Sequence, residues 1–122
     1  MRYALLLHYP EPAEGELDAE RMEEGMRAFD AYAKALAAAG VLGGADVLHP
    51  STATTTVTAV SGAPTVQSGP FADGPERLGG VITIEVDDLD AAIEWAARAP
   101  SAAWGHVEVR PVATRFVDGE WR

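Results

Sequence analysis

Cysteine is absent from the sequence, which excludes disulfide bonds and thiolate chemistry. Long apolar runs are absent too, since the amino-terminal stretch MRYALLLHYP holds only residues 3–7 as an apolar core before a histidine and a proline. A membrane span needs about 20 apolar residues, and this core is also too short for a signal peptide. We therefore expect a cytoplasmic protein that does not associate with membranes.

Positive charge is scarce. Nine Lys and Arg residues stand against 19 Asp and Glu residues, for a formal net charge of −10. Nucleic-acid binding depends on Lys and Arg side chains that neutralise phosphates, so no nucleic-acid partner is expected. Eight of the carboxylates lie between residues 11 and 30. They form either the solvated face of a helix or a docking surface for a basic protein, and both interpretations stay open.

The remaining composition is typical of a globular protein, with 48% hydrophobic and 23% charged residues in a chain of 122. This length is enough for one hydrophobic core, and it predicts a single domain over residues 1–122.

Two helices are predicted from the hydrophobic periodicity. The longer one begins after Asp18, a suitable N-cap residue, and ends before Gly40, a suitable residue for the position after the C-cap. A short helix covers residues 89–98, and Asp87 or Asp88 provides its cap. Along the longer helix, five apolar residues form a stripe that is expected to lie in the core: Met22, Met26, Phe29, Ala33 and Leu36.

The strands follow from β-branched and alternating apolar residues between turn signals. They are predicted over 3–9, 41–49, 54–60, 65–67, 80–86 and 106–112, with a bulge at Gly43-Gly44 and a turn at 61–64. The pattern does not predict a secondary-structure element for residues 114–122, but an added edge strand would cover Phe116 and Trp121.

The order of these elements is strand–helix–strand, a hairpin, then strand–helix–strand. It predicts an α+β fold of the ferredoxin-like type, with an inserted β-hairpin and both helices on one face of the sheet. Right-handed crossovers place the first strand centrally, antiparallel to the third and fourth main strands. The segment SGPFADGPERLGG at 68–80 then joins the hairpin to a central strand within one sheet, and its prolines and glycines predict a defined path.

Strand alternation separates two faces of this sheet. The face expected to pack on the helices carries Leu5, Leu7, Ile82, Ile84, Val86, Val107 and Val109. The opposite face, here called the open face, mixes apolar and ionisable residues: Leu6, His8, Thr83, Glu85, His106, Glu108 and Arg110. A second copy packed on this face would bury Leu6 and enclose a polar cavity, which predicts a C2 homodimer. An open, solvated sheet face is the alternative.

The antiparallel arrangement also predicts a site for an unknown small molecule, where the end of the first strand meets the starts of the third and fourth main strands. A histidine beside a carboxylate is the minimal general acid–base pair, and arginine holds anions. The candidate catalytic residues are His8, Asp73 and Glu108, and the candidate substrate-binding residues are Ser68, Phe71, Arg77, His106 and Arg110. Glu76 is expected to converge on the same pocket. The alternative is that these polar groups only satisfy one another inside a dimer cleft.

Neither a metal nor a cofactor is predicted. The three histidines lack the ligand spacing of a helical metal site. Ser68 is not in a nucleophile-elbow motif, and the glycines of 68–80 alternate with prolines, which lack the N–H groups that cradle phosphates.

Several segments together resemble the YCII-related proteins of the DGPF group. These segments are GPF at 69–71, LGGVITIEVDDLDAAIEWAARAP at 78–100 and VEVRPV at 107–112, while RYALLLHY, AAAGVL and ATTTVTAVSGAPTVQSGPF fit the same pattern. The resemblance covers nearly the whole chain, and its specificity lies in the order and spacing of the segments. It implies a dimeric α+β barrel built from ferredoxin-like subunits, in a family whose biochemical function is poorly established.

The resemblance implies several functions. The broader fold includes muconolactone isomerase-like enzymes, haem-handling monooxygenases and ligand binders, and many DGPF genes lie beside genes for extracytoplasmic-function sigma factors. A weak acid–base enzyme of the isomerase or lyase type, a non-catalytic ligand sensor or regulatory protein linked to sigma-factor control, and a structural dimer whose acidic helix docks another protein all stay open. The sequence leaves undecided whether the protein is an enzyme at all.

This chain departs from the group's pattern in three places. Ser68 replaces the aspartate that names the motif, and ADGPERLGG stands where the group usually reads like AETKEQLGG. The first helix also lacks the histidine of the His–Asp pair of YCII proteins. Catalysis carried over from those relatives therefore does not follow from the resemblance alone.

Overall fold

The computed structural model describes residues 1–13, 16 and 18–122. The helices are α1 (Ala19–Ala38) and α2 (Leu89–Arg98). The strands are β1 (Arg2–Tyr9), β2 (Leu42–Val47), β3 (Thr55–Thr58), β4 (Thr65–Ser68), β5 (Arg77–Glu85), β6 (His106–Pro111), β7 (Phe116–Val117) and β8 (Glu120–Trp121). Short helical turns cover Ser51–Ala53 and Pro100–Ala103. In the described ranges, neither α-helix is long and apolar enough to cross a bilayer.

The ends of α1 lie where the sequence predicts them. The Asp18 side chain accepts a hydrogen bond of 2.8 Å from the Arg21 backbone N–H, which satisfies a donor of the first helical turn. After the last turn, Gly40 has a positive φ of 73°, and its N–H donates to the Ala37 carbonyl while the next N–H donates to the Leu36 carbonyl. This is the Schellman arrangement, and it stops the helix because only glycine adopts that conformation without strain.

Helix α2 is capped by Asp88 rather than Asp87. The Asp88 carboxylate accepts a hydrogen bond of 2.9 Å from the Ala91 backbone N–H. The predicted bounds of this helix, 89–98, are confirmed.

The main sheet has four strands in the order β2-β5-β1-β6, and each neighbouring pair is antiparallel. Strand β1 is therefore central, as the crossover rule predicts. The predicted bulge in β2 is also present, because the pairing of β2 with β5 shifts between Leu42 and Gly44. Together with two helices on one face, this order gives an α+β architecture compatible with a ferredoxin-like fold.

The core lies between the main sheet and the two helices. The central strands contribute Leu5, Leu7, Ile82 and Ile84, and the helices contribute Tyr32, Leu36, Ala92 and Ala96. Val107 and Val109 of β6 are partly buried against this cluster. The predicted division of the sheet into a core face and an open face is therefore confirmed for β1, β5 and β6. The Tyr32 hydroxyl donates a 2.6 Å hydrogen bond to the Trp95 carbonyl, and burial raises the pKa of Tyr32 to about 12.

The prediction that the whole apolar stripe of α1 lies in the core is wrong for its amino-terminal half. Leu36 is buried, but Met22 is 53% exposed and Met26 is 69% exposed. Periodicity indicates which face of a helix is apolar, whereas the width of the sheet beneath it decides how much of that face is covered.

Three further sequence predictions need correction. The hairpin of β3 and β4 forms a separate two-stranded sheet instead of extending the main one. Strand β5 begins at Arg77, so the last residues of the 68–80 segment belong to the strand. The pairing of β5 with β1 shifts in register between Leu7 and His8. The carboxy-terminal residues add no edge strand, because β7 and β8 pair with each other around a turn with positive φ at Asp118 and Gly119.

Candidate functional site

Strands β1 and β6 bring the ionisable residues of the open face together. His8 lies directly opposite His106, and Leu6 lies opposite Glu108. Directly opposite residues of an antiparallel pair share a face, so the predicted placement of both histidines on one side of the sheet is confirmed.

His8 and Glu108 form the closest ionisable pair of this face. His8 Nε2 lies 2.6 Å from Glu108 Oε1, with the two side chains 28% and 48% exposed. Nε2 is shielded from solvent, and among the described residues it has no hydrogen-bond partner of acceptable geometry. Its contact with Glu108 is therefore close in distance but is not aligned as a hydrogen bond. A shielded imidazole nitrogen held against a carboxylate can take up and return a proton when a substrate replaces that contact.

His106 forms a second histidine–carboxylate pair, with Glu76 of the segment before β5. His106 Nδ1 lies 2.9 Å from each carboxylate oxygen of Glu76. The hydrogen bond that His106 donates to Glu76, together with the negative charge of Glu76, raises the pKa of the exposed His106 imidazole above its ordinary value of 6.5. The His106 side chain is 79% exposed, whereas the Glu76 side chain is only 27% exposed.

Glu76→Gln is expected to lower the pKa of His106 toward 6.5, because the variant removes the charge that stabilises the imidazolium. A raised folded-state pKa means that the pair stabilises the fold below pH 6.5, and that this contribution is lost as the pH rises through the folded pKa. An NMR titration of the His106 ring protons measures the shift directly. Glu120→Gln, which alters a carboxylate paired with Arg122, is the matched control. An unchanged His106 pKa in Glu76→Gln would contradict the pairing.

Arg77 organises the segment that precedes β5. Its guanidinium donates to the Ala72 carbonyl at 3.1 Å and to the Asp73 carboxylate at 2.6 Å, and it lies 3.9 Å from Glu11. Glu11 also accepts hydrogen bonds from the backbone N–H and the hydroxyl of Ser51. These contacts tie three separate parts of the chain together, which supports the predicted defined path of this segment.

The predicted site residues do not all meet. Of the two carboxylates considered for His8, the structure places Glu108 against it and Asp73 against Arg77. Arg110 lies 3.9 Å from Glu108, so it belongs with the His8 pair. Ser68 is exposed and pairs with Thr55 in the hairpin, and Phe71 is 88% exposed.

The sequence places Glu76 at this end of the sheet but does not indicate its pairing with His106, and it does not indicate Glu11 as a site residue. Both carboxylates contact partners distant in sequence, 30 residues away for His106 and 40 residues away for Ser51. No local motif signals such a contact. Within the part of the chain that the structure describes, no three His, Asp or Glu side chains come together in a way that would hold a metal ion.

Two cavities lie on the helix side of the sheet. One, of about 660 Å³, is bounded by the end of β1, the first turns of α1 and Trp104. The other, of about 630 Å³, lies between α1 and the end of β2. Tyr9 and Gly25 line both. Burial, together with the charge of Glu11, raises the pKa of the Tyr9 hydroxyl, which therefore stays protonated at neutral pH.

Known proteins resemble this chain over almost its whole length. The family model described as "YCII-related domain" matches residues 1–121, which include β1, β6 and the His8–Glu108 pair. An uncharacterised protein of Rhizobium meliloti (strain 1021) is 35% identical over 115 residues, covering 93% of this chain and 93% of that protein.

Proposed function

The chain belongs to the YCII-related family, and from this premise we propose that it is a homodimer that binds a small molecule on the open face and transfers protons to or from it. The 2.6 Å approach of His8 Nε2 to Glu108 Oε1 is the observation that carries the proposal. His8 acts as the general base once the substrate displaces the Glu108 carboxylate from Nε2, and the nearby negative charge of Glu108 stabilises the imidazolium that forms. The reaction class is an isomerisation or an elimination that begins with removal of a C–H proton beside a carbonyl group.

The surroundings of the pair support an anionic substrate. The Arg110 guanidinium lies beside Glu108 on the same face, and a planar guanidinium binds carboxylates through two parallel hydrogen bonds. A substrate carboxylate that binds Arg110 would replace the contact of this guanidinium with Glu108. The negative charge of Glu108 would then act on the His8 imidazole. The positive charge of His106 at mildly acidic pH would add to the attraction.

In the proposed homodimer, a second copy of the chain packs on the open face. It would enclose the site and give the finer fold, a dimeric α+β barrel. Leu6 and Val81 face each other on this side of the sheet and are only partly buried. The hairpin of β3 and β4 presents the exposed pair Val57 and Val66, although an isolated two-stranded hairpin is marginal in water. Cover by a partner would stabilise both features and exclude water from His8.

The test combines mass and chemistry. Light scattering should give twice the chain mass of 12.9 kDa. In D2O, ¹H NMR should show loss of the C–H signals beside the carbonyl groups in at least one member of a panel of 2-oxo acids and 1,3-dicarbonyl acids. His8→Gln should slow that exchange by about 100-fold or more, the usual contribution of a general base.

The control is His49→Gln, which removes an exposed histidine far along the chain from the pair and should leave the exchange rate unchanged. Equal exchange in wild type and His8→Gln would rule out proton transfer by His8. Binding of a panel member without any exchange would instead favour the ligand-sensor function. A monomer at all concentrations would contradict the dimeric barrel.

A further inference from the structure

The two cavities on the helix side lie side by side along the amino-terminal half of α1. They share Tyr9 and Gly25, and they continue past Trp104 at one end and past Met22, Met26 and Val47 at the other. We call this feature the α1 groove. It lies on the opposite side of the main sheet from His8 and Glu108, so it is separate from the site of the proposed function. Each half has a volume within the usual range of small-molecule sites.

The walls of the α1 groove are apolar and exposed. Met22 and Met26 lie one helical turn apart, and both face the groove with more than half of their surface exposed. Val47, at the end of the edge strand β2, is 71% exposed on the facing wall. Trp104 packs edge-on against Tyr9 and Phe29, with ring centroids 6.1 and 5.9 Å away, and this contact fixes the ring in the groove wall.

Gly25 keeps the centre of the groove open. Glycine is an unfavourable residue in a helix interior, because it has the largest backbone entropy to lose. Close packing does not require it at this position, since a Cβ atom built on Gly25 would meet nothing closer than Trp104 at 3.9 Å. The missing side chain instead leaves space at a position that lines both cavities.

The charged residues that line the α1 groove favour a positively charged ligand. Its lining includes five carboxylates and one guanidinium: Glu11, Glu16, Glu24, Asp30, Asp46 and Arg21. Some of these carboxylates have partners, such as Asp30 with Lys34, but the excess of negative charge remains. It repels an anion and attracts an ammonium group. The half-exposed indole ring of Trp104 also favours a cation through its quadrupole.

We propose that the α1 groove binds an elongated amphipathic amine, with its ammonium group among the carboxylates and its apolar body against Met22, Met26 and Trp104. The unbranched, polarisable methionine side chains suit an apolar body whose shape varies. The site belongs to a single chain, so it does not require a partner copy.

The test uses decylammonium as the probe and decanoate as its matched anion, both below their aggregation concentrations, in isothermal titration calorimetry with the full-length protein. Decylammonium should bind at least tenfold more tightly than decanoate, and raising the salt concentration should narrow that difference. Gly25→Leu should weaken decylammonium binding at least tenfold without lowering the melting temperature, because leucine is a better helix former and fills the groove. Ala31→Leu, an exposed position of the same helix, should bind the probe like the wild type.

A second variant guards against misfolding of Gly25→Leu. Met26→Ser changes an exposed side chain, so the fold should persist while decylammonium binding weakens. His8→Gln should leave binding unchanged, which separates this site from the open face. Three results would overturn the proposal. They are decanoate binding as tightly as decylammonium, full decylammonium affinity in both Gly25→Leu and Met26→Ser, and no measurable binding of decylammonium to the wild type, including the case in which Gly25→Leu dissociates a dimer. The last case would assign the groove to a second copy of the chain.

Discussion

Gly105→Ala is expected to destabilise the protein by about 3 kcal/mol and to disrupt the His8–Glu108 pair. A Cβ atom at this position would overlap the His8 carbonyl oxygen and lie 2.8 Å from Tyr9 Cα. Both atoms belong to the backbone of the central strand β1, so no side-chain rotation relieves the overlap. The start of β6 must move away from β1, and His106 and Glu108 move with it.

Urea unfolding measures the loss in stability, and the His8 ring signals in NMR report whether the Glu108 contact persists. Gly44→Ala is the matched control, since a Cβ atom there has nothing within 4 Å, although the residue lies in strand β2 of the main sheet. A Gly105→Ala protein as stable as Gly44→Ala, with an unchanged His8 spectrum, would show that β6 does not approach β1 as closely as described.

Leu5→Ala is expected to cost about 2–5 kcal/mol of the free energy of unfolding. Leu5 is fully buried in the central strand, and its cross-strand partners are Ile82 and Val109. Truncation removes apolar surface from the core and leaves a cavity that paired strands cannot close by moving, because their hydrogen bonds fix the spacing.

The control for this prediction is Leu89→Ala, which shortens a half-exposed leucine at the start of α2 and should cost less than about 1 kcal/mol. Both variants are compared with the wild type by urea unfolding at one protein concentration, because the proposed dimerisation would make apparent stability concentration-dependent. A loss for Leu5→Ala no larger than that for Leu89→Ala would contradict the assignment of the core face.

Much of the fold was predictable because its signals are local. Helix ends depend on a few neighbouring atoms, such as the Asp18 carboxylate and the glycine conformation at Gly40. The two faces of the main sheet follow from alternation along each strand, which is why the sequence alone places Leu5 and His8 on opposite sides. The crossover rule then placed β1 in the centre of the sheet.

The candidate site was predictable only in its location. The sequence indicated which end of the sheet collects the histidines and the nearby carboxylates, but it offered two carboxylates for His8 and did not indicate which carboxylate pairs with His106. Those choices depend on cross-strand register and on the path of the segment before β5. A displacement of a few ångströms there exchanges one ion-pair partner for another. The free-energy difference between such exposed pairs is small, so the amino-acid composition does not indicate which pair forms.

What the amino-acid sequence by itself determined is the set of helices and the main strands, the order of the main strands and the division of the main sheet into an apolar and a mixed face. Only the tertiary structure decided that Met22 and Met26 are exposed, that the two hairpins stay outside the main sheet, and that cavities open beside Gly25. The physical reason is the range of the interactions. Capping, turn geometry and strand alternation act between near neighbours in the chain, whereas cover and empty volume depend on how far one packed element extends over another.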